Sequence, residues 1–184
     1  MSLNKSIYEE ILIESRDGKR TVDIAPGVVL LEYFEDIFSP TITARLVVVN
    51  TGNTIEGPEG DLQSIYHGLP LRGGERVSIK IAGNSEENPG LDFASDKERY
   101  FYVSSVTNID QTTEQESFIL NLFSREAITN ETVRVGRRYN TSFKISDSVK
   151  DIVKNYLKSP KQVIADETQN KYGFIGNMRK PFTL

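Results

Sequence analysis

The sequence predicts a mainly β protein with minor α content, built as an antiparallel barrel or sandwich. Apolar residues alternate with polar ones along several segments, which is typical of half-buried strands. Polar, turn-forming stretches separate these segments. At 184 residues, the chain has the length of one domain, or of one domain and the beginning of a second.

Seven strands are predicted along the chain. They cover residues 10–15, 21–24, 28–34, 41–50, 76–82, 99–109 and 116–124. The pattern is clearest in the fifth strand, where Val77, Ile79 and Ile81 fall opposite polar neighbours. Residues 41–50 repeat it. These strands fit an antiparallel sheet with one face on a core.

Two polar stretches predict hairpin turns. Asp17 and Gly18 separate the first two strands, and this pair accepts the positive φ angles of a tight turn. Residues 110–115 separate the last two strands. The segments 57–61 and 72–75 are also predicted to be turns, because neither has the Lys-Ser/Thr ending of a phosphate-binding loop.

Some strands have apolar residues on both faces. Val47 and Val49 lie opposite the main apolar set of their strand, and Ile119 and Phe123 do the same in the last strand. Either a helix and long loops cover this second face, or another subunit does.

Two amphipathic helices are predicted to cover the sheet. The longer one begins after Ser146 as N-cap and ends before Pro160. Its apolar side chains at helical spacing are Val149, Ile152, Val153, Tyr156 and Leu157. The shorter one follows Asp61 and ends at Gly68.

Composition excludes several kinds of function. The chain has no cysteine and a single histidine, His67, so it has neither a thiol nucleophile nor a site that needs two histidines. Its formal charge is −4, from 22 Lys and Arg against 26 Asp and Glu, and the two signs are expected to be interspersed along the chain. That mixture argues against a nucleic-acid groove or an anionic membrane surface as the main partner.

No residue is assigned a catalytic, cofactor-binding or metal-binding role. His67 is interpreted as a surface residue at a helix C-terminus, because no carboxylate or nucleophile can be placed beside it. Residues 92–98 lack the alternating oxygen ligands of a calcium loop and are interpreted as a solvated loop.

Three alternatives remain open at this stage. A hydrolase would use paired carboxylates among Glu9, Glu10, Glu56 and Glu59. A carbohydrate-binding module would present Tyr100, Tyr102 and Tyr139 on an open surface. A single-strand nucleic-acid binder would use the basic run Arg134, Arg137 and Arg138, with Arg179 and Lys180.

The order of several motifs resembles a known family. The chain contains, in this order, FSPTITARLVVVNTGNTIEGPEGDLQSIYHGLPLRGGERVSIKI, RYFYVSSVTNI, SFILNLFSREAITNE and GRRYNTSFKISDSVKDIVKNYL. Within them are a Gly-Glu-x-Val-x-Ile strand at residues 74–79 and Ser124-Arg125-Glu126 at the end of a paired strand, and residues 172–182 extend the match. The chain thus resembles the baseplate hub proteins of contractile-tailed bacteriophages of marine, cyanophage-like myovirus type.

The resemblance implies both an architecture and a role. It implies a tail-tube-like β-barrel at residues 4–140, and at residues 141–184 a helix and the start of a second, truncated domain. The chain would then be an N-terminal fragment of a longer protein, in which two related barrels per subunit in a homotrimer mimic sixfold symmetry. It also leaves open whether the first barrel is complete without the rest of that protein.

The implied role is that of a non-enzymatic, structural component of the virion, located in the tail baseplate and assembled in the host cytoplasm. It would link the tail tube to the central spike, and it would need no cofactor, membrane or specific nucleic acid. A carbohydrate- or protein-binding β module without catalysis is the alternative. In either case residues 51–72 are expected to be mobile, because they are rich in glycine and have few apolar anchors.

Overall fold

A computed structural model describes residues 6–39, 41–53, 55–57, 59–85, 87, 89–112, 115–137 and 139–171. The chain divides into two compact units, Met1–Ser124 and Arg125–Leu184. This division comes earlier in the chain than the predicted boundary between residues 140 and 141. The motif at residues 172–182, with Arg179 and Lys180, lies outside the described residues.

The first unit is an antiparallel β structure, so the mainly β prediction is confirmed. Its described strands are β1 (Ile7–Glu14), β2 (Thr21–Asp23), β3 (Val28–Phe34), β4 (Thr43–Thr51), β5 (Ile55–Glu56), β6 (Leu62–Gln63), β7 (Arg76–Ala82), β8 (Leu91–Asp92), β9 (Phe101–Gln111) and β10 (Gln115–Ser124). The seven predicted strands correspond to β1–β4, β7, β9 and β10, with ends shifted by a few residues. The short strands β5, β6 and β8 were not predicted.

Eight of these strands form one sheet. Its order is β2-β1-β7-β9-β10-β4-β3, β8 pairs with β7, and β5 and β6 form a separate hairpin. The two predicted hairpins are present: Glu14 pairs with Thr21 across the Asp17-Gly18 turn, and Glu116 pairs with Gln111. Both edge strands, β2 and β3, are neighbours in the chain.

The short link between β2 and β3 requires the sheet to curve. Seven flat strands would place the two edges roughly 29 Å apart at ~4.8 Å per strand. Residues 24–27 can bridge only about 17 Å. A hydrogen bond also holds the start of the link against β1, because the Ile24 N–H donates to the Ile11 carbonyl at 2.9 Å. No ladder joins β2 to β3 within the described residues, so the hydrogen-bonded sheet is open.

One face of this sheet carries the core. The alternation predicted for β4 is confirmed, since Ala44, Leu46 and Val48 are all buried. Other strands contribute a matching set: Ile11, Ile13, Val77, Ile79, Phe101, Val103, Phe118, Leu120 and Leu122. The polar residue Ser78 is buried as well, and its hydroxyl donates to Glu10 Oε1 at 2.6 Å. A buried hydroxyl with a partner costs little, which explains this departure from the pattern.

The opposite face of β4 and β10 is apolar and partly covered. Ile119 is buried and pairs with the half-buried Val47, while Val49 and Phe123 are half-buried. The Phe123 ring stacks on Tyr102 of β9, with centroids 6.4 Å apart and planes 19° apart. Cross-strand contacts of this kind cover part of the second face. The sequence analysis left open whether a helix with long loops or another subunit covers that face.

The described helices are α1 (Ile65–Gly68), α2 (Arg125–Thr132) and α3 (Ile145–Asp151), and a π-helix (Ile152–Tyr156) continues α3. None of them is long and apolar enough to span a bilayer. α1 ends at Gly68 as predicted, but it begins after Ser64 and not after Asp61. α2 was not predicted.

The longer predicted helix exists, but its predicted N-cap is wrong. Lys144 is the N-cap residue, and Ser146 lies inside α3. The Ser146 hydroxyl accepts from the Thr168 N–H at 3.3 Å, so it serves a neighbouring segment of the second unit. Val149, predicted for the buried face, is exposed. The wider π turn shifts the faces of the residues that follow α3 relative to a regular α-helix.

Charge is segregated between the two units. The sequence of the first has 20 acidic and 10 basic residues, a formal charge of −10, whereas that of the second has 6 acidic and 12 basic residues, or +6. The expectation of interspersed charge is therefore wrong at the level of the units. Each unit has its own electrostatic preference for partners.

A glycine in the β2–β3 link provides a test of the curvature. A Cβ at Gly27 would lie 2.5 Å from the Val49 carbonyl oxygen. We expect Gly27→Ala to destabilise the first unit by about 1–3 kcal/mol, because backbone must move to admit the methyl group. Hydrogen exchange of sheet amides in denaturant would measure the change.

Gly136→Ala, in the second unit, is the control, because a Cβ at that position would meet no heavy atom within 4 Å, and it should leave the sheet amides unchanged. Equal stability of the Gly27→Ala and wild-type sheets would contradict the close approach of the link to β4.

Candidate functional site

The candidate site is built on the connection between β4 and β7, residues 52–75. The premise that it has few apolar anchors is wrong. Its side chains at Ile55, Ile65, Leu69 and Leu71 are all buried in the main core. The connection also contains the β5–β6 hairpin and α1. Apolar burial therefore holds it against the sheet.

Glu116 fixes the N-terminal end of α1. Its side chain is only 4% exposed, and its Oε1 accepts from the Ile65 N–H at 2.7 Å. Two cross-strand neighbours also donate hydrogen bonds to this carboxylate: Asn50 of β4 donates to Oε1 at 3.0 Å, and Gln111 of β9 donates to Oε2 at 3.2 Å. A buried carboxylate with three donors is well compensated. The Glu116 side chain thus links the strands β4, β9 and β10 to the connection.

A second buried carboxylate fixes the other end of the connection. Glu75 is 1% exposed and accepts from the Arg72 and Gly73 N–H groups, each at 2.9 Å. The turn requires Gly73 and Gly74, whose φ angles are +102° and +89°. The segment 72–75 is thus the turn predicted from its glycines.

The middle of the connection is also attached to the β1–β2 hairpin. Arg20 Nη1 donates to the Gly68 carbonyl at 2.7 Å. A Cβ at Gly68 would lie 2.6 Å from Ile55, so only glycine fits between α1 and β5. These contacts place α1 between two clefts.

The first cleft is lined mainly by amides and hydroxyls. It has a volume of about 590 Å³. Its lining includes Asn53, Gln63, Ser64, Gln111, Thr112 and Gln115. Such groups donate and accept hydrogen bonds without charge, which suits a neutral, hydroxyl-bearing ligand.

The second cleft is basic. It has a volume of about 750 Å³ and lies between the β1–β2 hairpin and α1. Its charged lining consists of Arg16, Asp17, Lys19, Arg20, Arg72 and Glu75, with His67 at the boundary with the first cleft. The sequence analysis did not identify this site, because its basic residues come from two segments about 50 positions apart.

His67 lies at the C-terminal end of α1 and is exposed, as predicted. Its ring meets that of Tyr66 edge-on, with centroids 5.4 Å apart. The buried carboxylate of Glu75 accepts from two backbone N–H groups, and that of Glu116 accepts from one backbone N–H and two side-chain amides. Neither therefore serves His67 as the orienting partner that a general base requires.

The four carboxylates considered for a hydrolase lie elsewhere. Glu9 pairs with Lys80 at 2.9 Å, and Glu10 accepts from Ser78. Glu56 and Glu59 are exposed in and beside the β5–β6 hairpin. None of the four lines either cleft.

Residues 92–98 form a turn secured by its own acids. Asp92 Oδ1 accepts from the Ala94 and Ser95 N–H groups, and the Ser95 hydroxyl donates to Oδ2. The hydroxyl and these N–H groups lower the pKa of Asp92 to about 2. Asp96 is the N-cap of the following 3-10 turn. No group of three or more potential metal ligands occurs among the described residues.

The second unit contains a compact network around Asp151. Arg137 Nη1 lies 3.2 Å from each carboxylate oxygen, and the Tyr139 hydroxyl and Asn155 Nδ2 each donate at 2.7 Å. The Tyr139 hydrogen bond, followed by that of Asn155, lowers the pKa of Asp151, whereas burial and then the same hydrogen bond raise the pKa of Tyr139.

This network uses residues that the sequence analysis considered for ligand binding. Arg137 and Tyr139 are engaged with Asp151, and Arg134 Nη1 donates to the carbonyl oxygens of Asn130, Glu131 and Val133. Arg138 lies outside the described residues. In the first unit, the half-buried Tyr102 stacks on Phe123, and Tyr100 is half-buried too.

Comparison with known proteins identifies no family for this chain. No family model matches its sequence, and no curated protein matches it.

Replacing Glu116 tests its role as the anchor of α1. We expect Glu116→Leu to destabilise the first unit by about 1–3 kcal/mol, because the buried Ile65 N–H loses its acceptor. Hydrogen exchange should show the largest loss of protection at Ile65. Glu56→Leu is the control, since Glu56 is exposed on the same connection. Unchanged protection at Ile65 in Glu116→Leu would contradict this role.

The Asp151 network predicts a pH effect in the second unit. Because its folded pKa lies below the usual 3.8, Asp151 stabilises the unit above that value and loses this effect as the pH falls through the folded pKa. We expect Tyr139→Phe to raise the pKa of Asp151 toward 3.8, so that the stabilisation is smaller and its loss is complete at a higher pH. An NMR titration of the Asp151 carboxyl carbon would measure it.

Tyr156→Phe serves as the control for this titration, because Tyr156 belongs to the same unit and its hydroxyl is not among the donors that lower the pKa of Asp151. An Asp151 midpoint that is the same in Tyr139→Phe and in the wild type would contradict the network.

Proposed function

We propose that the chain is a structural part of a phage tail baseplate hub, in which it links the tail tube to the central spike. The observation that best supports this role is an apolar edge on the antiparallel sheet. An edge strand has unpaired N–H and C=O groups, which makes it a natural surface for pairing with another chain. The resemblance of the ordered motifs to hub proteins supports the choice of this assembly.

The apolar edge consists of β3 and the turn after it. Within the described residues, β3 pairs only with β4, so its other side is open. The exposed apolar side chains of this edge are Val29, Leu30, Phe34, Ile37 and Phe38. Ile37 and Phe38 are each 93% exposed. Several large, exposed apolar side chains along an open edge are typical of a surface buried in an assembly.

We extend the proposal to the finer architecture, a tail-tube-like barrel. The curvature imposed by residues 24–27 supports it, because the link brings the two edge strands toward each other. In the full-length protein, pairing of β3 with another strand would close the β-barrel. Hydrophobic burial between subunits would hold the homotrimer together, and the assembly needs no catalytic group.

An assembly test follows from the β3 edge. We expect the full-length protein to sediment as a trimer and the double variant Ile37→Ser/Phe38→Ser to dissociate at least tenfold more readily. The reason is that burial of each such side chain contributes about 1.5–3 kcal/mol. Both side chains are exposed in the isolated chain, so the variant should fold. Sedimentation equilibrium would measure the association.

Ile164→Ser is the control, because Ile164 is 88% exposed but belongs to the second unit. A strictly monomeric full-length protein at high concentration would contradict the hub proposal.

A binding module without catalysis is the second candidate, and the amide-lined cleft favours it. Gln63, Gln111 and Gln115 present neutral hydrogen-bonding groups there, as a carbohydrate or a polar protein segment requires. A monomeric full-length protein would favour this candidate over the hub.

A further inference from the structure

Basic side chains are concentrated at one cleft of an otherwise acidic unit. Arg16, Lys19, Arg20 and Arg72 all line the cleft between the β1–β2 hairpin and α1. They are four of the 10 basic residues in the sequence of this unit, which has 20 acidic ones. The cleft is therefore a local positive site on a unit whose overall field is negative.

The carboxylates of the cleft do not neutralise it. Asp17 and Glu75 are the two acids in its lining, against four cationic side chains, which leaves a formal charge of +2 with His67 neutral. Lys19 lies 3.7 Å from Asp17, and both side chains are more than half exposed. An exposed pair of this kind is weak, so Lys19 can change partner at little cost.

Two arginines of the cleft have guanidinium groups that are available to a ligand. No carboxylate pairs with Arg16 or Arg72 within the described part of the chain, and both residues are exposed. The Arg16 stem lies close to Gly74, where Cδ would be 3.7 Å from an added Cβ. A guanidinium offers two parallel N–H groups that match the two oxygens of a carboxylate. Arg16 and Arg72 can each hold one acidic side chain.

We propose that this cleft binds an acidic peptide segment of a partner protein, with Arg16 and Arg72 as its main contacts. A volume of about 750 Å³ accommodates a few side chains. Lys19 adds a mobile charge at the rim. Arg20 uses one N–H group on the Gly68 carbonyl and faces the segment from the hairpin side. This site is separate from the β3 edge.

Two other anions fit less well. A compact phosphate group is usually held by backbone N–H groups in a turn. Here those of Arg72 and Gly73 are already taken by Glu75. A nucleic acid would extend beyond the cleft, where the remaining sequence of the unit has 18 acidic and six basic residues. Repulsion along that surface would oppose a long polyanion, whereas a short acidic segment ends within the cleft.

Fluorescence polarisation with a labelled peptide of alternating Asp and Glu tests the proposal on the whole chain. A peptide of equal length with Asn and Gln is the neutral control. We expect the acidic peptide to bind and the neutral peptide not to bind. The affinity of the acidic peptide should fall as salt screens the charges. The double variant Arg16→Gln/Arg72→Gln should weaken binding by about tenfold or more, because it removes two charge-assisted contacts.

Lys97→Gln/Arg99→Gln is the matched control, since both residues are exposed in the same unit and neither lines the cleft. It should bind the peptide as the wild type does. Circular dichroism would establish that both double variants are folded. The proposal is overturned by equal binding of the neutral peptide, by equal loss in the two variants, or by a duplex oligonucleotide or inorganic phosphate binding through Arg16 and Arg72 in place of the peptide.

Discussion

The carboxylate of Glu116 is the constraint on which the arrangement of both clefts depends. It lies where β4, β10 and β9 run side by side, and its register partners Asn50 and Gln111 are also two of its hydrogen-bond donors. The third donor, the Ile65 N–H, begins a helix of four residues. A helix so short has no stability of its own in water. Its position is therefore set by the sheet, through one buried acid, together with the apolar contacts of Ile65.

The same logic explains the rest of residues 52–75. Glu75 closes the connection with two hydrogen bonds to the turn before β7, and Arg20 holds the end of α1 from the opposite side. A long connection attached at three points keeps the walls of two clefts at fixed separations. Binding to a surface that is already ordered costs less conformational entropy than binding to a mobile loop. The clefts are thus preformed even though they are built from irregular backbone.

The sequence predicted the strands because their determinants are local. Alternation in β4 and β7 and the Asp17-Gly18 turn each depend on residues within a few positions of one another. The site was not predicted, since Arg16 and Arg72 line the same cleft only after β1 pairs with β7. The sequence predicts Ser146 as an N-cap because it does not show that the Ser146 hydroxyl accepts from the distant Thr168 N–H. α2 was missed because its eight residues include only two apolar ones, Ala127 and Ile128.

The β3 edge and the basic cleft differ in the kind of interaction that each can supply. Burial of exposed side chains such as Ile37 and Phe38 would contribute most of the free energy of an association, but it discriminates poorly between apolar partners. Charge pairing contributes less net free energy, yet it penalises a partner of the wrong sign and increases the rate of encounter with the right one. On a unit with a formal charge of −10, most of the surface repels an acidic partner. On this unit, such a partner would therefore be favoured at the basic cleft, where Arg16 and Arg72 can receive it.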